Sequence, residues 1–405
     1  MSTIAVLGTF DTKGAEHRFV ADQILQRGHE VLLIDLGGHG EPQIVADITR
    51  EQVAASADID LAALRVQNDR GVMVEAMAKA APAMLARLAA EGRIHGAISL
   101  GGTGGTAIGT AAMRALPLGF PKVMVSTVAA GNVAPYLGVK DIMMFPSIVD
   151  VAGLNRFSRG VFTRAAATVC ALAETNATMP TETDAKPLIV ASMFGNTTQC
   201  VEHARKLLEA VGYEVLVFHA TGTGGRTMES LIESGLVAGV LDITTTEWAD
   251  ELVGGVLKAG PTRLEAAARQ GVPAIVTPGC LDMVNFGEPD SIPAKFSGRT
   301  FYRHNPQVTL MRTTPEECAE LGRILAQKVN FSTGPVTVLL PKRAISIISA
   351  EGKLFYNPAA DAALFDAIKK HLRSDIPLME LDCEINDPAF AEACANELLH
   401  HLTAS

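Results

Sequence analysis

Aromatic side chains are scarce in this sequence: Phe, Trp and Tyr together make up 5% of it, with a single Trp in 405 residues. Basic charge is short too, with 34 Lys and Arg against 44 Asp and Glu and a formal net charge of −10. With no basic cluster, the chain offers no electrostatic footprint for nucleic acid. The six cysteines, Cys170, Cys200, Cys280, Cys318, Cys383 and Cys394, are scattered and form no CxxC pair. That spacing suits reduced thiols and speaks against a disulfide framework or a zinc site. No apolar run reaches the roughly 18–20 residues needed to cross a bilayer. A strand pattern at residues 4–7 begins almost at the N-terminus, which leaves no place for a signal peptide. The expectation is a cytoplasmic protein. Neither of two glycine-rich loops ends in Gly-Lys-Ser/Thr, and Gly8-Thr9-Phe10 lacks the dinucleotide fingerprint spacing.

What the sequence does have is glycine, concentrated in loops. Ser99-Leu100-Gly101-Gly102-Thr103-Gly104-Gly105-Thr106 follows an apolar run at 95–98 and precedes an Ala-rich helical pattern over 107–116. Four glycines in five positions let the backbone turn sharply and bring bare N–H groups close to a ligand. Between a strand and a helix, such a loop aims those amides and the positive helix end at an anion. Thr103 and Thr106 add hydroxyls able to donate to phosphate oxygens. Gly101, Gly102, Thr103, Gly104, Gly105 and Thr106 are therefore expected to hold a phosphate or carboxylate. A tight turn chosen for packing is the alternative.

The alternation of elements reads as α/β. Apolar runs at 4–7 and 31–35 flank a helical pattern over 15–27 closed by Gly28, which is a parallel βαβ unit. In its first loop Thr9, Asp11, Thr12 and Lys13 cluster, with Lys13 the natural source of positive charge for a phosphate. Asp35, at the end of the second strand, either is placed to reach a ribose hydroxyl or is a solvated strand-end carboxylate. Further strands are expected at 122–127 and 141–145, and helices over 76–91 and 161–174. Residues 174–187 are polar with two prolines and read as a linker. After it the pattern repeats: residues 188–198 echo 4–12, and a helix over 201–211, Gly212 and a strand at 213–218 follow. A second glycine loop, Thr221-Gly222-Thr223-Gly224-Gly225-Arg226-Thr227, follows, where Arg226 beside exposed amides makes an anion clamp. Strands at 240–247, 274–280, 337–341 and 345–348 and helices over 359–372 and 388–402 complete the chain. The reading is two Rossmann-like doubly wound domains, 1–180 and 187–405, produced by internal duplication and facing a shared cleft.

Other candidates lie in the second half. In Tyr302-Arg303-His304-Asn305-Pro306, His304 is a candidate general acid or base and Arg303 a carboxylate or phosphate clamp. Pro278-Gly279-Cys280-Leu281-Asp282 sets a thiol and the Asp282 carboxylate at a strand end. Thr244-Thr245-Thr246-Glu247 with Asp250 either binds Mg²⁺ or caps a helix. No residue set is assigned to a metal.

Taken together these motifs resemble a family: a mostly uncharacterised bacterial and fungal group that shares the N-terminal ATP-binding region of tomato's tobamovirus-resistance protein, an inhibitor of viral RNA replication. The resembling stretches are Gly8-Thr9-Phe10-Asp11-Thr12-Lys13-Gly14, residues 99–106, Asp150-Val151-Ala152-Gly153-Leu154-Asn155, residues 278–286 and residues 304–314. They span nearly the whole chain in order. The resemblance implies a two-domain α/β protein that binds ATP, with Mg²⁺, and forms homodimers. Its ATP-binding role falls on the 9–13 and 101–106 loops. In the plant protein a TIM-barrel region follows; here the chain ends at Ser405, so a barrel is expected to be absent or separately encoded. Two rival readings stand beside ATP binding. One is a metabolic enzyme acting on a small carboxylate or phosphorylated metabolite in the cleft, by C–C cleavage or phosphoryl transfer. The other is a non-catalytic, ATP-stabilised partner of a TIM-barrel enzyme.

Overall fold

The computed structural model describes residues 1–179 and 185–404. The chain divides into two compact units, Met1–Glu182 and Thr183–Ser405. Of the expected linker, residues 174–178 are the last turn of a helix, Arg156–Thr178, while 180–184 lie outside the described residues.

In the first unit five strands, β1 (Thr3–Gly8), β2 (Glu30–Asp35), β3 (Gly96–Gly101), β4 (Lys122–Ser126) and β5 (Met143–Pro146), pair in parallel. Their order is β2-β1-β3-β4-β5. Successive strand residues face opposite sides of a sheet, and the apolar runs use both sides. Ala5, Leu7, Ala97 and Met124 pack into one core with the helices Arg70–Ala90 and Thr103–Arg114. Ile4, Val6, Ile98, Leu100, Val123 and Val125 pack into the other, with the helices Phe10–Leu25 and Arg156–Thr178. A sheet buried on both faces needs continuous apolar strands, which is why these runs do not alternate with polar residues. The helix expected at 15–27 starts instead at Phe10 and is kinked at Lys13, whose φ of −135° and ψ of 30° are not helical.

The second unit repeats the plan. Strands β6 (Leu188–Met193), β7 (Glu214–His219), β8 (Val237–Thr244), β9 (Ala274–Gly279), β13 (Val336–Pro341) and β14 (Leu378–Leu381) form one parallel sheet of order β14-β13-β9-β8-β6-β7. Ile189, Ala191, Leu241 and Ile243 pack beneath the helices Thr198–Ala210 and Pro388–Ala404. The order second-first-third-fourth is therefore common to both units. A three-stranded antiparallel sheet, β10 (Met283–Phe286), β12 (Val308–Arg312) and β11 (Phe301–Asn305), is inserted between β9 and β13. The sequence pattern predicts no strand in that stretch. Residues 345–348, expected as a strand, instead lead into a 3₁₀ turn, Ile347–Ser349, because the Ser346 hydroxyl accepts the Ser349 N–H at 3.1 Å and caps it. No helix among the described residues is long and apolar enough to cross a membrane. All six cysteines are free and buried.

Candidate functional site

In an open parallel sheet a ligand crevice forms where the strand order reverses, outside the carboxyl ends of the strands. In the first unit that point lies between β1 and β3, the two strands that feed the loops singled out by their composition. A cavity of ≈ 490 Å³ opens there. Thr9, Asp11, Thr12 and Lys13 line it from the first loop and Gly102, Gly104 and Gly105 from the second. The segment after β2 adds Leu36, Gly38, His39 and Gly40, the helix Arg70–Ala90 adds Arg70, Met73 and Val74, and Ile108 and Asp150 complete the wall.

Each side of this cavity is held by internal bonds. A Cβ on Gly101 would stand 2.8 Å from the Gly105 Cα, so the tight fold of the second loop requires glycine there. Gly102 is the N-cap of the helix Thr103–Arg114. The first amides of a helix have no partner within it. Among the described residues those of Thr103, Gly104 and Gly105 find no protein acceptor either, whereas the Thr106 N–H donates to the Gly102 carbonyl at 2.8 Å. On the opposite side, Asp11 Oδ2 accepts the N–H groups of Gly38, His39 and Gly40 at 3.2, 3.1 and 3.2 Å. Its Oδ1 is buried and has no partner among the described residues. The Lys13 ammonium donates to the Val151 carbonyl, which draws the loop before the helix Arg156–Thr178 towards the cavity. The hydroxyls of Thr9 and Thr12 are 3.0 Å apart and bonded to each other.

The expectations for Thr106, Thr103, Gly101 and Asp35 need correction. Thr106 is fully buried and its hydroxyl lies 2.6 Å from that of Ser126, so it ties the helix to β4 and is not presented to a ligand in the cavity. Thr103 is exposed and, like Gly101, is not part of the cavity lining. Asp35 is 1% exposed, and its Oδ1 accepts the N–H groups of Phe10 and Gly37 at 3.1 and 2.8 Å. It shapes the first loop and is not presented to a ribose; burial holds its carboxyl above the usual range.

Several residues of the site carried no signal in the sequence. Arg50, 5% exposed, donates to the Gly40 carbonyl at 2.5 Å and lies 3.9 Å from both Asp11 and Asp35. His17 packs against Gly8, where a Cβ would come within 1.9 Å of its ring. Its Nδ1 is 2.7 Å from the Lys13 carbonyl, and burial pushes its pKa down to about 4. The only signal for His17 was its position four residues after Lys13, one helical turn on.

The second glycine loop is built differently. The N–H groups of Gly222 and Gly225 donate to Glu247 Oε1 at 2.6 and 3.1 Å. Glu247 is 1% exposed, and its Oε2 accepts from Arg263 Nε at 2.7 Å. Arg263, also 1% exposed, forks onto Asp242 at 2.5 and 2.7 Å and reaches Glu229 at 3.1 Å. The anion at this loop is thus the protein's own. Arg226, expected as an anion clamp, is exposed with its guanidinium on the Thr223 hydroxyl at 3.3 Å. Asp250, expected as a metal ligand or cap, accepts from the Asn285 N–H at 2.7 Å and the Asn285 side-chain amide at 2.6 Å. It thereby fastens β10 to the helix Glu247–Val253, and burial pushes its pKa up to about 7.

The three catalytic candidates do not gather. Asp282 is fully buried, bonded to the Ser346 hydroxyl at 2.8 Å, with its pKa pushed up to about 6 by burial. Arg303 and His304 are exposed, and no hydrogen bond or ion pair joins either to Asp282 among the described residues. Alternation along β11 sends them to opposite faces: His304 sits beside Tyr302, ring centroids 6.4 Å apart, while Arg303 shares the other face with Phe301. Cys280 is fully buried with a φ of 60°, and burial raises its thiol, so it is no nucleophile.

Comparison with known proteins matches residues 2–178 to the N-terminal domain and residues 186–402 to the C-terminal domain of the Uncharacterised protein family (UPF0261). A UPF0261 protein of Clostridium tetani is 47% identical over 98% of both chains. One from Rhizobium meliloti is 50% identical over 97% of both. The ToMV susceptible protein tm-1(GCR26) of Solanum lycopersicum is 36% identical over 97% of this chain, which spans 55% of that protein.

Proposed function

The chain belongs to the Uncharacterised protein family (UPF0261), and we propose that it is a nucleotide-binding protein that takes ATP in the cavity between the β1 and β3 loops. The observation that carries this reading is the convergence of both loops on one cavity at the point where the strand order reverses. The unpaired amides of Gly104 and Gly105, which line the cavity at the positive end of the helix Thr103–Arg114, suit phosphate oxygens. Lys13, Arg70 and His39 line the same space and supply positive or proton-donating side chains. Leu36, Met73, Val74 and Ile108 supply an apolar wall for a purine ring. The volume, ≈ 490 Å³, lies within the roughly 300–1,000 Å³ of small-molecule sites.

The donor set also fits Mg²⁺. Asp11 and Asp150 both line the cavity, and Asp11 Oδ1 is buried without a partner. Carboxylates facing phosphates repel them unless a cation lies between, and Mg²⁺ is commonly held by one or two carboxylates together with phosphate oxygens. When bound, the ion would neutralise phosphate charge; the chain's own part is to fix Asp11 through the amides of residues 38–40.

Calorimetric titration of the full chain with ATP, with and without Mg²⁺, tests the reading. Micromolar binding, about −8 kcal/mol, tightened by Mg²⁺, is the expected result. No heat of binding at millimolar ATP in either condition overturns it.

A further inference from the structure

The insertion between β9 and β13 holds a second cavity that plays no part in nucleotide binding, and we propose that it binds a small carboxylate with an apolar, ring-sized body. Its volume is ≈ 450 Å³, and Pro289, Ile292, Pro293, Phe296 and Phe301 give it walls with no charge. Three polar residues interrupt them: Ser297, which is exposed, Thr309 and Arg303. Thr309 lines the cavity, is 3% exposed, and its hydroxyl has no partner among the described residues. Arg303 lines it too, is exposed, and enters no ion pair or hydrogen bond through its side chain among the described residues.

The register brings these two together. Arg303 is the cross-strand partner of Thr309 in the antiparallel pair β11–β12, so both side chains leave the same face side by side. Phe301, two residues earlier, shares that face. The result is an apolar wall, a guanidinium and a buried hydroxyl pointing into one space, the composition of a small-molecule site. A buried hydroxyl without a partner is costly, and a ligand oxygen relieves that cost.

A carboxylate matches this pair better than a phosphate does. The planar guanidinium presents two parallel donors at the spacing of two carboxylate oxygens. Arg303 is the single charged side chain among the residues lining the cavity, which balances a monoanion and leaves a dianion short. The nearby cations are turned elsewhere: Lys295 lies 4.7 Å from the Phe296 ring centroid and Arg299 is bonded to Glu317. The exposed carboxylates of Glu288 and Asp290 flank Pro289 but do not line the cavity.

The test is titration of the full chain with 4-phenylbutyrate and with its uncharged amide, followed by ligand-observed NMR. The carboxylate should bind at least tenfold more tightly than the amide. Arg303→Met should erase that difference, weakening the carboxylate about tenfold and leaving the amide unchanged; Thr309→Val should weaken both. Arg303 is exposed, so its replacement spares the core, and the carboxylate–amide comparison on the unaltered chain decides the matter independently. Equal affinity for the two compounds, unchanged carboxylate affinity in Arg303→Met, or no binding of either at millimolar concentration overturns the proposal.

Discussion

The two glycine-rich loops are close in sequence, Gly101-Gly102-Thr103-Gly104-Gly105-Thr106 against Gly222-Thr223-Gly224-Gly225-Arg226-Thr227, yet their amides face different things. The first opens on a cavity, with the amides of Thr103, Gly104 and Gly105 unpaired. The second closes on Glu247, a carboxylate buried with Arg263. A glycine loop at a helix start thus specifies a place for negative charge. Whether a ligand or the protein fills that place is decided elsewhere in the chain. In the first unit β3 runs into the glycines themselves. In the second, β8 runs through Thr245 and Thr246 into Glu247, so the residue that fills the loop comes from the strand at the corresponding position of the sheet.

That contrast can be broken from either side. The largest effect is expected on stability from Glu247→Ala, which leaves two buried amides without an acceptor. At about 1–3 kcal/mol for each orphaned group, urea unfolding should show a loss of about 3 kcal/mol, with ATP affinity of the folded protein unchanged. A loss below about 1 kcal/mol would mean that Glu247 does not close the loop. Gly104→Asp should act the other way. A Cβ there meets nothing closer than a Val74 methyl at 3.4 Å, so the side chain fits and sets a carboxylate among the free amides. ATP affinity should fall more than 100-fold, about 2.7 kcal/mol, with thermal stability nearly unchanged; retained affinity would remove this loop from the site.

A pH effect belongs to the closed side. Asp250, its pKa raised to about 7 by burial, binds its proton more tightly folded than unfolded. Its contribution to stability is therefore complete below about pH 4 and is lost as pH rises through about 7, at up to roughly 1.4 kcal/mol per pH unit. Asp250→Asn, which Asn285 can match by turning its unpaired Oδ1 to accept, should flatten that slope in denaturant titrations between pH 4 and 7. An unchanged slope would assign the effect to other groups. The smallest effect distinguishes the loops by size alone. Gly104→Ala should raise stability by up to about 1 kcal/mol, whereas a Cβ on Gly225 stands 2.1 Å from Glu247 Oε2 and should lower it.

How much of this was legible in the sequence follows from the range of the interactions. The apolar runs at 4–7, 31–35 and 95–98 and the glycines between strands and helices are local signals, and they gave the doubly wound plan and the two loops that meet at the β1/β3 reversal. Glu247 meets the glycine loop from 22 and 25 residues away, and its local pattern suggests only a metal ligand or a helix cap. No local pattern singles out Arg50 or Arg263, although each is buried against carboxylates. The strands of the insertion are only four or five residues long, and Arg303 and His304, adjacent in sequence, were read as one polar group before β11 separated them. The Thr106 hydroxyl suggests a ligand contact from its loop alone, since its partner Ser126 lies on the next strand, 20 residues on.

The most direct measurement is hydrogen exchange of the full chain with and without ATP and Mg²⁺. The account predicts slowed exchange at residues 9–14 and 102–106 on adding nucleotide and no change at 222–227, where Glu247 already holds the amides of Gly222 and Gly225. Protection at 222–227, or none at 102–106, would contradict it.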